Sequence, residues 1–157
     1  ERMTPTAGIQ ALANDKRLGA KTSKGFYDHP KDRKKQPVLC ADLSKFQQED
    51  GAKSLTKEQM TDRLILSMVN EAARCMAEQV TTNATDLDLA TVFGMGFAPF
   101  HGGLLHYADS LGVKEVVRRL EAIAAAPDII ARPGGASKFT PAPWLKDLAD
   151  RGERIFD

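Results

Sequence analysis

The chain has 157 residues, enough for a domain of ordinary size, and its 42% hydrophobic and 27% charged residues exclude wholesale disorder and the fibrous classes. A formal net charge of +1 excludes the global positive field with which nucleic-acid and anionic-membrane binders recruit partners. No apolar run approaches the roughly 20 residues that cross a bilayer, and the N-terminus lacks the basic-then-apolar order of a signal peptide.

In chain order, Ile9, Leu12 and Ala13 predict one face of a short helix. Arg17-Leu18-Gly19 and Lys24-Gly25-Phe26-Tyr27 predict turns and an extended tail closed by His29-Pro30. Residues 31–59 are polar, open with Lys31-Asp32-Arg33-Lys34-Lys35, and are expected to form a linker or partly helical connector. From Met60 onward, Leu64, Met68, Ala72, Cys75 and Val80 recur at helical steps, which predicts one long amphipathic helix over 58–79. Cys40 and Cys75 lack metal-ligand spacing, so reduced thiols and an intracellular protein are expected.

Thr85 stands three residues before Asp88, a capping-box spacing that predicts a helix from Asp86 to about Phe93. Gly94, Gly96, Pro99, Gly102 and Gly103 then break regular structure, and helix resumes over Leu104 to Asp109. Gly112 ends that segment, and Lys114 to Ala126 predicts a helix with Val116, Val117, Leu120, Ile123 and Ala124 mainly inward. Pro127 is expected to stop it. After the Pro133-Gly134-Gly135 loop, Thr140 is expected to cap a last helix with Pro141 at its first position and Trp144, Leu145 and Leu148 packed inward. The expected fold class is all-α.

The run Asp62-Arg63-Leu64-Ile65-Leu66-Ser67-Met68-Val69-Asn70-Glu71-Ala72-Ala73 is followed by Asp86-Leu87-Asp88, Gly94-Met95-Gly96-Phe97, Pro99-Phe100 and Gly102-Gly103. This order resembles the helical C-terminal domain of 3-hydroxyacyl-CoA dehydrogenases, and more closely the second copy of that domain in the α-subunit of multifunctional fatty-acid oxidation enzymes. Tyr107-Ala108-Asp109-Ser110-Leu111-Gly112 and Lys138-Phe139-Thr140-Pro141-Ala142-Pro143 fit the same pattern. Arg17-Leu18-Gly19-Ala20-Lys21-Thr22 with Lys24-Gly25-Phe26-Tyr27 resembles the segment that closes the first copy. The resemblance implies residues 1–30 as the tail of a first copy, 31–57 as a charged connector and 58–157 as the second copy. Glu1 in place of Met fits a start within a longer product.

The resemblance also implies a parent that oxidises L-3-hydroxyacyl-CoA with NAD, with an enoyl-CoA hydratase domain upstream, in fatty-acid β-oxidation. Its histidine base, the glutamate that orients it, and the nucleotide-binding domain lie before this region, so no catalytic, cofactor-binding or metal residue is expected here. The first copy's substrate-holding asparagine has no counterpart, since Met60 and Thr61 precede Asp62-Arg63. Gly94-Met95-Gly96 is no dinucleotide turn, because a predicted helix precedes it and Pro99 stands where a third glycine belongs. The partners implied are the missing Rossmann and first C-terminal domains, a thiolase subunit, a second copy, and acyl-CoA in the parent. Nucleic acid is not among them, and a cytoplasmic, bacterial setting is expected.

Individual side chains have sharp and bland readings. His101 lies in the glycine-rich turn and is read as a capping or surface hydrogen-bonding group rather than a base. Asn70 and Glu71 sit mid-helix, where one of the two is expected to bond across to the turn holding Gly94 and Gly96 and satisfy its backbone groups. Lys16, Arg17, Lys21, Lys24 and the Lys31–Lys35 run could meet coenzyme A phosphates, but a solvated basic loop is favoured. Glu115, Arg118, Arg119 and Glu121 are read as the wet face of a helix. Two function classes follow: a helical scaffold that buttresses a dehydrogenase, or a stand-alone helical interaction module.

Overall fold

The computed structural model describes residues 7–32, 34–46 and 55–156, which fall into two units, one within Met3–Lys53 and one within Ser54–Asp157. Arg33 and residues 47–54 of the expected connector lie outside the described residues. In the first unit, helix α1 (Ala7–Asn14) buries Leu12 and packs on a 3₁₀ turn at Leu43–Phe46. Strand β1 (Tyr27–Asp28) pairs antiparallel with β2 (Val38–Leu39), Tyr27 opposite Leu39. This small hairpin stands where an extended tail and a connector were expected. Gly25 has to be glycine, since a Cβ there would lie 2.8 Å from the Gly19 Cα.

The second unit is all helix, and its first helix starts earlier than the apolar pattern suggests. Helix α2 (Lys57–Ala77) is opened by Thr56, whose hydroxyl accepts from the Gln59 amide while the Gln59 side chain accepts from the Thr56 amide, a complete capping box. The stripe that α2 buries is Leu66, Val69, Asn70, Ala72 and Ala73, whereas Leu64 and Val80, predicted to face inward, are exposed. Apolar residues occupy more than one side of α2, so its neighbours decide which side is covered.

The remaining helices are α3 (Ala84–Met95), α4 (Leu104–Leu111), α5 (Val113–Ala124), α6 (Pro127–Ile130), α7 (Gly135–Phe139) and α8 (Pro143–Arg151). Three expected boundaries change. The cap of α3 is Asn83, whose side chain accepts from the Thr85 amide, because Asp88 is turned inward and unavailable for a box with Thr85. Pro127 begins α6 instead of only ending α5, since a proline at the first helical position lacks just the N–H that would go unused. Likewise Pro143, not Pro141, opens α8, and Thr140 ends α7.

The core runs through α2, α4, α5 and α8, with Leu66, Leu105, Val116, Leu120 and Leu145 fully buried. Trp144 packs against its edge. At its centre sits a fully buried amide. The Asn70 Nδ2 donates to the carbonyls of Lys138 (3.0 Å) and Thr140 (2.8 Å), and its Oδ1 accepts from the Ala142 amide at 2.8 Å. Asn70 thus holds the α7–α8 link, not the Gly94–Gly96 turn where its bonds were expected. Pro141 and Pro143 have no N–H to give, so the link's carbonyls need donors from elsewhere. Arg74 adds more, its Nη2 donating to Ser137 O at 2.6 Å and Thr140 O at 3.0 Å.

Asn70→Ala strips the Ala142 amide and the Lys138 carbonyl of their side-chain partner, leaves the Thr140 carbonyl with Arg74 alone, and is expected to cost about 3 kcal/mol, read from urea unfolding. Asn70→Asp is expected to be worse relative to wild type at pH 7 than at pH 4, because a carboxylate can donate to neither carbonyl while its protonated form can donate to one. Equal penalties at both pH values would refute the assignment of the two donated bonds.

Candidate functional site

Two features could carry function: the glycine-rich turn between α3 and α4, and a groove between α2 and α5. The turn is built around Asp88, 2% exposed on the inward side of α3. Its Oδ1 accepts from the Leu105 amide at 2.7 Å, and its Oδ2 accepts from the His106 amide at 3.0 Å. The His106 ring Nδ1 meets the same Oδ2 at 2.7 Å, and Thr91 donates its hydroxyl to the Asp88 carbonyl at 2.8 Å. One buried carboxylate therefore satisfies free N–H groups at the start of α4 and sits at the positive end of its dipole.

The glycines serve this contact. Gly103 has φ +123°, and a Cβ on it would fall 2.3 Å from the Asp88 Cβ and Cγ. Only glycine lets α4 approach α3 this closely. His106 is held from its other side by Phe156, whose ring stacks on it at 3.6 Å between centroids and 24° between planes. Asp109 accepts from Arg154 and from the Ile155 amide at 2.8 Å, so residues 154–156 are laid along α4.

His101 is exposed in the turn and lies among aromatic rings, with Phe100 at 4.6 Å and Tyr107 at 5.1 Å between centroids. His106, which the sequence reading passed over, is the histidine with a carboxylate partner. The signal that could have found it was Asp88, an acid at an inward position of an apolar helix. Gly94 lies in the last turn of α3, and Gly96, at φ +73°, is its C-cap. These glycines are therefore at the negative end of a helix, where a pyrophosphate is repelled. Two amides at the start of α4, those of Leu105 and His106, are already taken by Asp88. Gly94 and Gly96 therefore do not offer the helix N-terminus that a dinucleotide turn uses.

The groove is a hollow of roughly 400 Å³ lined by Glu58, Asp62, Arg63, Arg118 and Arg119 over Ala122 and Ile123. Its arginines and Asp62 are paired. Arg63 forks onto Asp128, with Nη2 to Oδ1 at 3.0 Å, and Arg119 bridges Glu115 at 2.7 Å and Asp62 at 3.2 Å. Arg119 thus ties α5 to α2 instead of lying on a wet face. Hydrogen bonding from Arg63 holds the Asp128 carboxyl below the usual range, and bonds from Arg118 and Arg119 hold Glu115 at about 2. Arg17, considered for coenzyme A phosphates, is 9% exposed and donates to Gly25 O at 2.9 Å and Asp28 at 2.6 Å. Among the described residues no group of three or more His, Cys, Asp or Glu side chains could hold a metal ion, and no helix is long and apolar enough to cross a membrane.

Gly103→Ala is expected to destabilise the chain by roughly 3 kcal/mol or more, through positive φ and collision with Asp88. Its penalty should shrink in an Asp88→Gly background, where the collision is gone; strictly additive penalties would disprove the contact. The Arg63–Asp128 pair carries a pH signature. A depressed folded pKa gives stability that is present above the unfolded carboxylate pKa and lost as pH falls through the folded value. Arg63→Gln is expected to cost up to about 1 kcal/mol at pH 7, with the gap to wild type closing below about pH 4 in thermal melts.

No family model matches the chain. It is 34% identical over 156 residues, 99% of its length, to the α-subunit of the fatty acid oxidation complex of Idiomarina loihiensis. The match lies in that protein's C-terminal region, and the chain spans 21% of its length.

Proposed function

We propose, from this homology to the C-terminal region of a fatty acid oxidation complex α-subunit, that the chain is the helical support region of such an enzyme. The parent would oxidise L-3-hydroxyacyl-CoA to 3-ketoacyl-CoA with NAD and hydrate enoyl-CoA in β-oxidation, in a bacterial cytoplasm. The observation that carries the reading is the match over 99% of the chain, in the order of segments that resembles the second C-terminal copy. On this reading, residues 1–30 close a first copy, 31–57 connect, and 58–157 form the second.

NAD binds in the absent domains, since the turn at Gly94–Gly96 is the wrong end of a helix for phosphate. The chain's own residues contribute rigidity. Hydride transfer needs a closed cleft with fixed geometry, and a layer locked by Asn70, Arg74 and Asp88 suits the support of such a cleft. Acyl-CoA would meet the parent's other domains, and a thiolase subunit and a second α-subunit are the further partners of the complex.

The alternative, a stand-alone helical interaction module, draws on the exposed Leu64, Phe93 and Phe100. The two are separated by assaying NADH-dependent reduction of acetoacetyl-CoA. The 157-residue chain alone is expected to show no turnover while the full-length polypeptide does. Turnover by the chain alone would overturn the placing of chemistry elsewhere, and a full-length polypeptide without turnover would overturn the enzyme reading.

A further inference from the structure

Helix α3 has the composition of a core helix but only part of the cover. Asp88 and Thr91 are its buried residues, while Leu89, Phe93 and Met95 are exposed, Phe93 at 83%. The 3₁₀ turn Pro99–His101 that follows adds Phe100, exposed at 84%. No Asp, Glu, Lys or Arg occurs from Leu89 to Leu105. From Leu89 onward the exposed side of α3 is apolar, whereas a surface helix normally keeps a polar side for water.

We infer that this platform, the outer side of α3 and the Phe100 turn, is the face on which the remainder of the same polypeptide docks through an uncharged apolar surface. The inference rests on the reading of the chain as one region of a longer α-subunit, and three observations select this occupant. The matched relative has several times more chain than the region matched here, so a covering surface in the same polypeptide is available. Charge is missing from Leu89 to Leu105, Asp86 standing at the rim, and charge depletion marks the cores of permanent interfaces, whereas a partner that leaves requires a face water tolerates. The area fits as well. Two nearly bare phenylalanines present on the order of 300 Å², and Leu89 and Met95 bring this to roughly 500 Å², the larger part of the ~800 Å² each side of a specific interface buries.

The platform is also rigid, which lowers what docking must order. Leu89 and Phe93 are one helical turn apart on the same side of α3. The turn bearing Phe100 is fixed at both ends, by the αL cap at Gly96 and by the Asp88 bonds to the Leu105 and His106 amides.

The test is hydrogen exchange followed by mass spectrometry over residues 89–103, in the full-length polypeptide and in the 157-residue chain, with light scattering on the chain. Exchange is expected to be at least ten-fold slower in the full-length form, and the chain to be monomeric. The pair Phe93→Ser with Phe100→Ser is expected to restore fast exchange in the full-length form while leaving the chain's thermal midpoint unchanged, since both rings stand in solvent. If that variant fails to fold, the wild-type comparison decides alone. Equal exchange in the two forms with a monomeric chain would overturn the inference, as would a dimeric chain whose own platform is protected, the mark of a second copy as occupant. A full-length protein with dehydrogenase activity and an open platform defeats this inference alone. A protected platform without that activity defeats only the functional reading.

Discussion

The second unit depends on one buried carboxylate. Asp88 would be costly without partners at 2% exposure, and it is tolerable because α4 begins where its oxygens need donors. The requirement runs both ways: α4 needs an acceptor for its first amides, and α3 needs to lose a charge from its inward face. Satisfying both brings the two backbones so close that position 103 has no room for a side chain. The glycine-rich turn is therefore a consequence of the acid, and the aromatic surface beyond it is set by the same contact.

Asn70 does for the other side of the core what Asp88 does here. A proline-bracketed link supplies carbonyls in excess of N–H groups, and an amide can both donate twice and accept once. Leucine would fill the space but leave the Lys138 carbonyl and the Ala142 amide without the bonds Asn70 makes. Polar groups thus fix the two places where the chain changes direction, and apolar packing among Leu66, Leu105, Leu120 and Leu145 supplies the bulk between them.

Much of the fold was legible because it rests on local signals. The all-α class, the long second helix and the glycine break follow from periodicity and from glycine and proline placement, and the resemblance to the α-subunit family rested on ordered segments. What was not legible depended on partners far away in sequence. Thr85 and Asp88 have the spacing of a capping box, yet the aspartate is drawn to amides seventeen and eighteen residues later, so the cap falls to Asn83. Leu64 follows the apolar rhythm but faces away from the helices that cover Leu66 and Val69. Arg17 reads as a free cation until the hairpin brings Asp28 to it. The candidate site was the least legible part, since a bare apolar face looks in sequence like core.

The chain contains one tryptophan, and Trp144 lies in the second unit, at the edge of the packed leucines and two residues beyond the link that Asn70 holds. Its fluorescence is accordingly a label placed within the packed helices of that unit. Emission followed alongside far-ultraviolet dichroism would separate melting of the helical layer from melting of the N-terminal unit, with no dye and no engineered probe.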